Sequence, residues 1–123
     1  MNRALPLLSA LALLAAAPAR AIDANAPESC ATGPVIETYG GTKWLVASCS
    51  DGKSLVFVAQ EGSKAAPFEF DLTYTGDGYD LTGHGGGDRK LTDAAYADLT
   101  KLTGTAVRAL VAETQAVKPP KAP

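Results

Sequence analysis

The sequence predicts an α+β fold: an antiparallel β-meander of four to five strands in the order 1-2-3-4-5, with a C-terminal helix, kinked or split into two short helices, packed on one face. Short β-rich runs follow one another from Val35 to Gly83, separated by glycine turns. Gly-Gly and Asp-Gly between alternating runs favour type I′ hairpins, because both central residues then need positive φ. Phe68, Phe70, Leu72 and Tyr74 alternate strictly with Glu69, Asp71 and Thr73, the period-2 signature of a strand with one dry face. From Leu91 onward the apolar residues change to helical spacing.

Residues 1–21 read as a secretory signal. Met1-Asn2-Arg3 carries the positive charge, Ala4 to Ala17 is an Ala/Leu run too short to span a membrane, and Ala19-Arg20-Ala21 supplies small residues for cleavage after Ala21. The expected product is periplasmic or secreted. Residues 22–34 lack periodicity and read as an irregular N-terminal arm. Residues 35–116 then form a single domain, small enough to hold one core.

Each turn implies a register. Gly40-Gly41 sets Thr32 opposite Cys49, with Cys30 offset diagonally on the same face. In an oxidising compartment Cys30 and Cys49 should form a disulfide. Asp51-Gly52 pairs Ser48 with Leu55, Val46 with Phe57 and Trp44 with Ala59, giving one apolar face. Leu45, Ala47, Val56 and Val58 make the other face apolar too, so a cover is expected on both sides of the middle strands. Asp77-Gly78 pairs Tyr74 with Leu81 and Leu72 with Gly83, and brings Asp71 opposite His84.

Thr92 is the expected N-cap of the helical segment, with Asp93 complementing the helix dipole. Leu91, Ala95, Leu99, Leu102, Ala106 and Leu110 recur at helical spacing, and Gly104 interrupts them. Thr103 or Thr105 could cap a second helix. Residues 117–123, with three prolines and two lysines, read as a disordered tail.

Composition excludes more than it assigns. Net charge is −2, and no run of Lys or Arg exceeds two residues, so a nucleic-acid partner is not expected. His84-Gly85-Gly86-Gly87 invites comparison with an esterase oxyanion loop. There is no G-x-S-x-G elbow and no second histidine, so Gly83, His84, Gly85, Gly86 and Gly87 form at most a candidate binding loop. Asp71, Asp77, Asp80 and Asp88 lack the spacing of a calcium loop. Trp44, Phe57, Phe68, Phe70 and Tyr74 fit a core better than a ligand pocket. The sequence therefore predicts no metal site, no cofactor and no catalytic constellation. The expected function is a non-enzymatic binding module, inhibitor-like, immunity-like or accessory, whose partner is an envelope or extracellular protein. Leu45, Val56 and Val58 are its candidate partner patch. The alternative is an envelope carrier of a small apolar ligand or lipid, held between Phe57, Phe68, Phe70 and Leu110.

Overall fold

The computed structural model describes residues 29–118, so the expected signal segment, most of the expected arm and the end of the expected tail lie outside the described residues. Five strands form one antiparallel sheet in the order β1-β2-β3-β4-β5: β1 Thr32–Tyr39, β2 Thr42–Ser48, β3 Leu55–Ala59, β4 Phe68–Tyr74 and β5 Tyr79–Gly85. Two helices follow, α1 Arg89–Leu99 and α2 Gly104–Gln115. The α+β meander is present, and its helical part is two helices.

Two of the three turn registers match expectation near the turn. Tyr39 faces Thr42 across Gly40-Gly41, and Trp44, Val46 and Ser48 face Ala59, Phe57 and Leu55. The first strand begins at Thr32 rather than Val35, and a register shift between Thr32 and Val35 places Thr32 opposite Ser48 instead of Cys49. Gly33, at φ +116°, occupies that irregularity. The shift brings Cys30 to Cys49, and the two are joined as a disulfide.

The third turn differs. Tyr74 faces Tyr79 and Leu72 faces Leu81, a slip of two residues from the Asp77-Gly78 register. The Thr75 amide donates to the Gly78 carbonyl, closing a loop with Gly76-Asp77 at its centre. Gly76 supplies the positive φ there, at +104°. A slip of two keeps every side chain on its face, so the alternation along β4 is unaffected.

One sheet face is the core. Trp44, Val46, Leu55, Phe57, Phe70 and Leu72 are buried against Ala95 and Leu99 of α1 and Val107, Leu110 and Val111 of α2. Aromatic edges knit its centre, with Trp44 and Phe70 centroids 5.2 Å apart and Phe68 and Phe70 4.9 Å apart. Where α2 crosses β2, the fully buried Thr114 hydroxyl pairs with the Ser48 hydroxyl at 2.7 Å and with the Val111 carbonyl at 2.6 Å. Two polar side chains are thereby satisfied inside an apolar layer.

The first helix starts a turn earlier than Thr92. Asp88 is its N-cap, accepting from the Lys90 amide, while Thr92 is buried within the helix. Both residue types cap well, but Gly87 at φ +82° and the Asp88 amide bond to the Lys64 carbonyl deliver the chain to Asp88 first. Thr103 caps α2 as expected, accepting from the Ala106 amide. Leu102 therefore lies between the helices rather than on a continuous stripe.

Among the described residues no helix covers the second face. The buried cluster formed with α1 and α2 lies wholly on the first face, and Leu45, Ala47, Val56 and Val58 are only half-buried. The expected cover is not supplied by the described residues, because α1 and α2 both bury their apolar residues in the same core on the first face.

Candidate functional site

The open sheet face is ordered by register. One row runs across all five strands: Ile36, Leu45, Val58, Glu69, His84. The neighbouring row runs Ala47, Val56, Asp71, Thr82. In these two rows the face is apolar over β1–β3 and ionisable over β4–β5, and Thr38 and Lys43 lie on it toward the β1–β2 turn. Leu45, Val56 and Val58 are brought together, and Ile36, 52 % exposed, extends the strip to the sheet edge. Ile36 escaped the sequence reading because the first run was assigned no face of its own.

Glu69 and Asp71 stand at i and i+2 on β4, so the pleat puts both carboxylates on this face. The two-residue slip sets His84 directly opposite Glu69, with Asp71 on the diagonal rather than opposite. The expected contact between Asp71 and His84 still forms, at 3.4 Å from Nε2 to Oδ2. Ligating atoms of all three side chains lie within 4.8 Å of one another. A hydrogen bond to Asp71, then burial and the Asp71 charge, push the Glu69 carboxyl up to about 7, with the His84 charge pulling the other way. The second oxygen of Asp71, Oδ1, is buried with no hydrogen-bond partner among the described residues. Glu69 was missed as a site residue. The signal for it was the rival Gly76-Asp77 loop, which moves His84 from Asp71 to Glu69.

The glycine cluster is a packed strand edge. Gly83 and Gly85 belong to β5, which runs two residues past its expected end. A Cβ on Gly83 would lie 2.9 Å from the Phe68 and Phe70 rings, and one on Gly87 would lie 2.2 Å from the Ala65 carbonyl oxygen. These glycines permit close approach to the 64–68 segment, which the Gly86 amide bonds through the Pro67 carbonyl. His84 projects from this edge with its side chain 63 % exposed. A shallow groove of about 430 Å³ runs beside it, with Val58, Pro67, Phe68 and Glu69 in its wall.

Elsewhere the four residues proposed to hold an apolar ligand are in the packed interior: Phe57, Phe70 and Leu110 are buried and Phe68 lies against them. An apolar cleft of about 230 Å³ lies instead between Leu72, Tyr79 and Leu81 of the sheet and Leu99, Leu102 and Val107 of the helical layer. No described helix is long and apolar enough to cross a membrane. Comparison with protein-family models, with curated proteins and with solved structures finds no match.

Proposed function

We propose that this chain is a small exported, non-enzymatic binding module that docks an envelope or extracellular protein through the open face of its sheet. The observation that carries the reading is the strip of Ile36, Leu45, Val56 and Val58, aligned across three strands on a face where neither helix packs. Aliphatic side chains in register form a continuous contact surface, and such surfaces on small domains mark protein contacts. The ionisable side chains of β4 and β5 border it, as a polar rim borders an interface core. The disulfide fits an oxidising compartment, in keeping with a signal segment cleaved after Ala21 and periplasmic or secreted residence.

The test is capture of partners from envelope and culture fractions by oxidised protein, with Ile36→Asp and Val56→Asp run beside the wild type. A partner recovered by wild type and lost by both variants, each retaining its melting transition, is the expected result. A charge buried in the centre of such a contact costs about 2 kcal/mol or more. Capture undiminished in both variants places the contact elsewhere. Unfolding of Val56→Asp together with a folded, fully binding Ile36→Asp makes this face part of the core.

The carrier reading stands second, and it draws on the 230 Å³ cleft rather than on the filled space around Phe57. That volume lies below the usual range for a drug-sized ligand, about 300–1,000 Å³.

A further inference from the structure

We propose that Glu69, Asp71 and His84 form a binding site for a divalent transition-metal ion of the Zn²⁺ type on the open face of the sheet. Such a site is independent of any docking role of the apolar strip. Two carboxylates alone would be a solvated acidic pair, but the imidazole opposite them adds the nitrogen donor that borderline ions prefer and that Ca²⁺ or Mg²⁺ does not need.

Geometry supplies the second argument. Zn–N and Zn–O bonds near 2.0–2.1 Å in a tetrahedron separate neighbouring donors by about 3.3 Å. Nε2 of His84 and Oδ2 of Asp71 already stand 3.4 Å apart. The remaining donor lies within 4.8 Å and belongs to Glu69, the longest and most adjustable of the three side chains. All three sit on paired strands whose register is set by a tight loop, so the backbone holds them at fixed spacing. The His84 side chain is 63 % exposed, so a fourth position would be left to water or to a group brought by a partner.

Electrostatics points the same way. Two carboxylates share this corner, and among the described residues the ion pairs near them include no Lys or Arg; the group that faces Asp71 is the His84 imidazole. A divalent ion would neutralise both charges at once. It would also sit beside the buried Oδ1 of Asp71, which has no hydrogen-bond partner among the described residues. Competing soft donors are few. His84 is the chain's single histidine, and its two cysteines are tied to each other. Any imidazole-ligated ion therefore reports on His84 alone.

The experiment uses the full chain, as its host processes it, expressed without an affinity tag and freed of metal with EDTA. Zn²⁺ is added during calorimetry and during NMR of the lone imidazole, and Co²⁺ during visible spectroscopy. The expected result is saturable one-to-one binding with a shift of the His84 ring nitrogens and a Co²⁺ d–d band. His84→Ala and Glu69→Gln should each weaken the affinity by at least about tenfold. Asp77→Asn, at the far turn, should leave it unchanged. Both site variants replace surface side chains, and an unchanged melting curve certifies their fold. Absence of saturable binding up to millimolar Zn²⁺ overturns the proposal. Binding of equal strength in folded His84→Ala overturns it as well.

Discussion

Glu37 shows how a single side chain at an edge carries an electrostatic cost. It stands on β1 opposite Trp44, facing the helix side, where α2 presents Glu113. Burial first, then the Glu113 charge and a hydrogen bond to that carboxyl, raise the Glu37 carboxyl above its ordinary value of 4.5. Burial and the same two carboxylates push the neighbouring Tyr39 phenol up to about 12. The sign follows from linkage. A carboxyl that binds its proton more tightly in the folded state stabilises the fold most at low pH. That stabilisation is lost as pH rises from the unfolded value through the raised folded one. Glu37→Gln should therefore leave stability near pH 3.5 unchanged and raise it at pH 7. The gain should be roughly 0.2–0.5 kcal/mol, kept small by solvent screening at this part-exposed edge. Urea denaturation at the two pH values checks it, and an equal effect at both would assign the change to packing rather than charge.

At the scale of elements, the β1–β2 turn is a docking device as well as a hairpin. Gly40 and Gly41 share positive φ, at 61° and 78°. They differ in surroundings: a Cβ on Gly40 would lie 2.4 Å from the Ala95 backbone nitrogen of α1, while one on Gly41 would meet nothing within 4 Å. The Gly40 amide also donates to the Asp98 carboxylate at 2.6 Å. The turn thus pins α1 to the sheet edge. Gly41→Ala should cost about 1 kcal/mol for the left-handed backbone alone. Gly40→Ala should cost about 2–4 kcal/mol, since overpacking against the helix backbone adds to the same conformational penalty. Thermal or urea melts of the two variants separate the terms. Equal losses would show that α1 yields freely. This docking was illegible in the sequence, where Gly-Gly signals only a tight turn.

For the whole molecule, the disulfide matters because the first strand lies at the sheet's edge and its N-terminal end is irregular. Cys30 and Cys49 are 19 residues apart, and closing a loop of that length stabilises by about 3 kcal/mol through the unfolded chain's entropy. For a domain of this size the paired Cys30→Ser/Cys49→Ser variant should melt roughly 12–24 °C lower. Circular dichroism melts of oxidised wild type and the double variant provide the comparison. A difference under about 5 °C would mean that β1–β2 pairing holds the strand unaided. The pairing of Cys30 with Cys49 was readable from compartment and cysteine count. The register shift at Gly33 that lets them meet was not, since a one-residue irregularity leaves no local signature beyond the glycine itself.

Turn chemistry and periodicity by themselves determined the strand order, the residues on each side of β4 and the presence of a helical layer, because these depend on local backbone preference and neighbouring side chains; the count of two cysteines determined the disulfide pairing. Tertiary structure decided what local preference leaves degenerate. Gly76-Asp77 and Asp77-Gly78 both satisfy a hairpin, and the two registers differ by an even step that preserves every face. The structure takes the first, closed by the Thr75 amide to the Gly78 carbonyl with Gly76 at positive φ, and Phe70 then lies opposite Gly83, its ring filling the space that a side chain there would need. Likewise β2 and β3 are apolar on both sides, and only the docking of α1 and α2 made one side core and left Leu45, Val56 and Val58 on the other. The meeting of Glu69 with His84 depends on that same slip. Both candidate loops contain a glycine, so local backbone preference alone leaves that slip open.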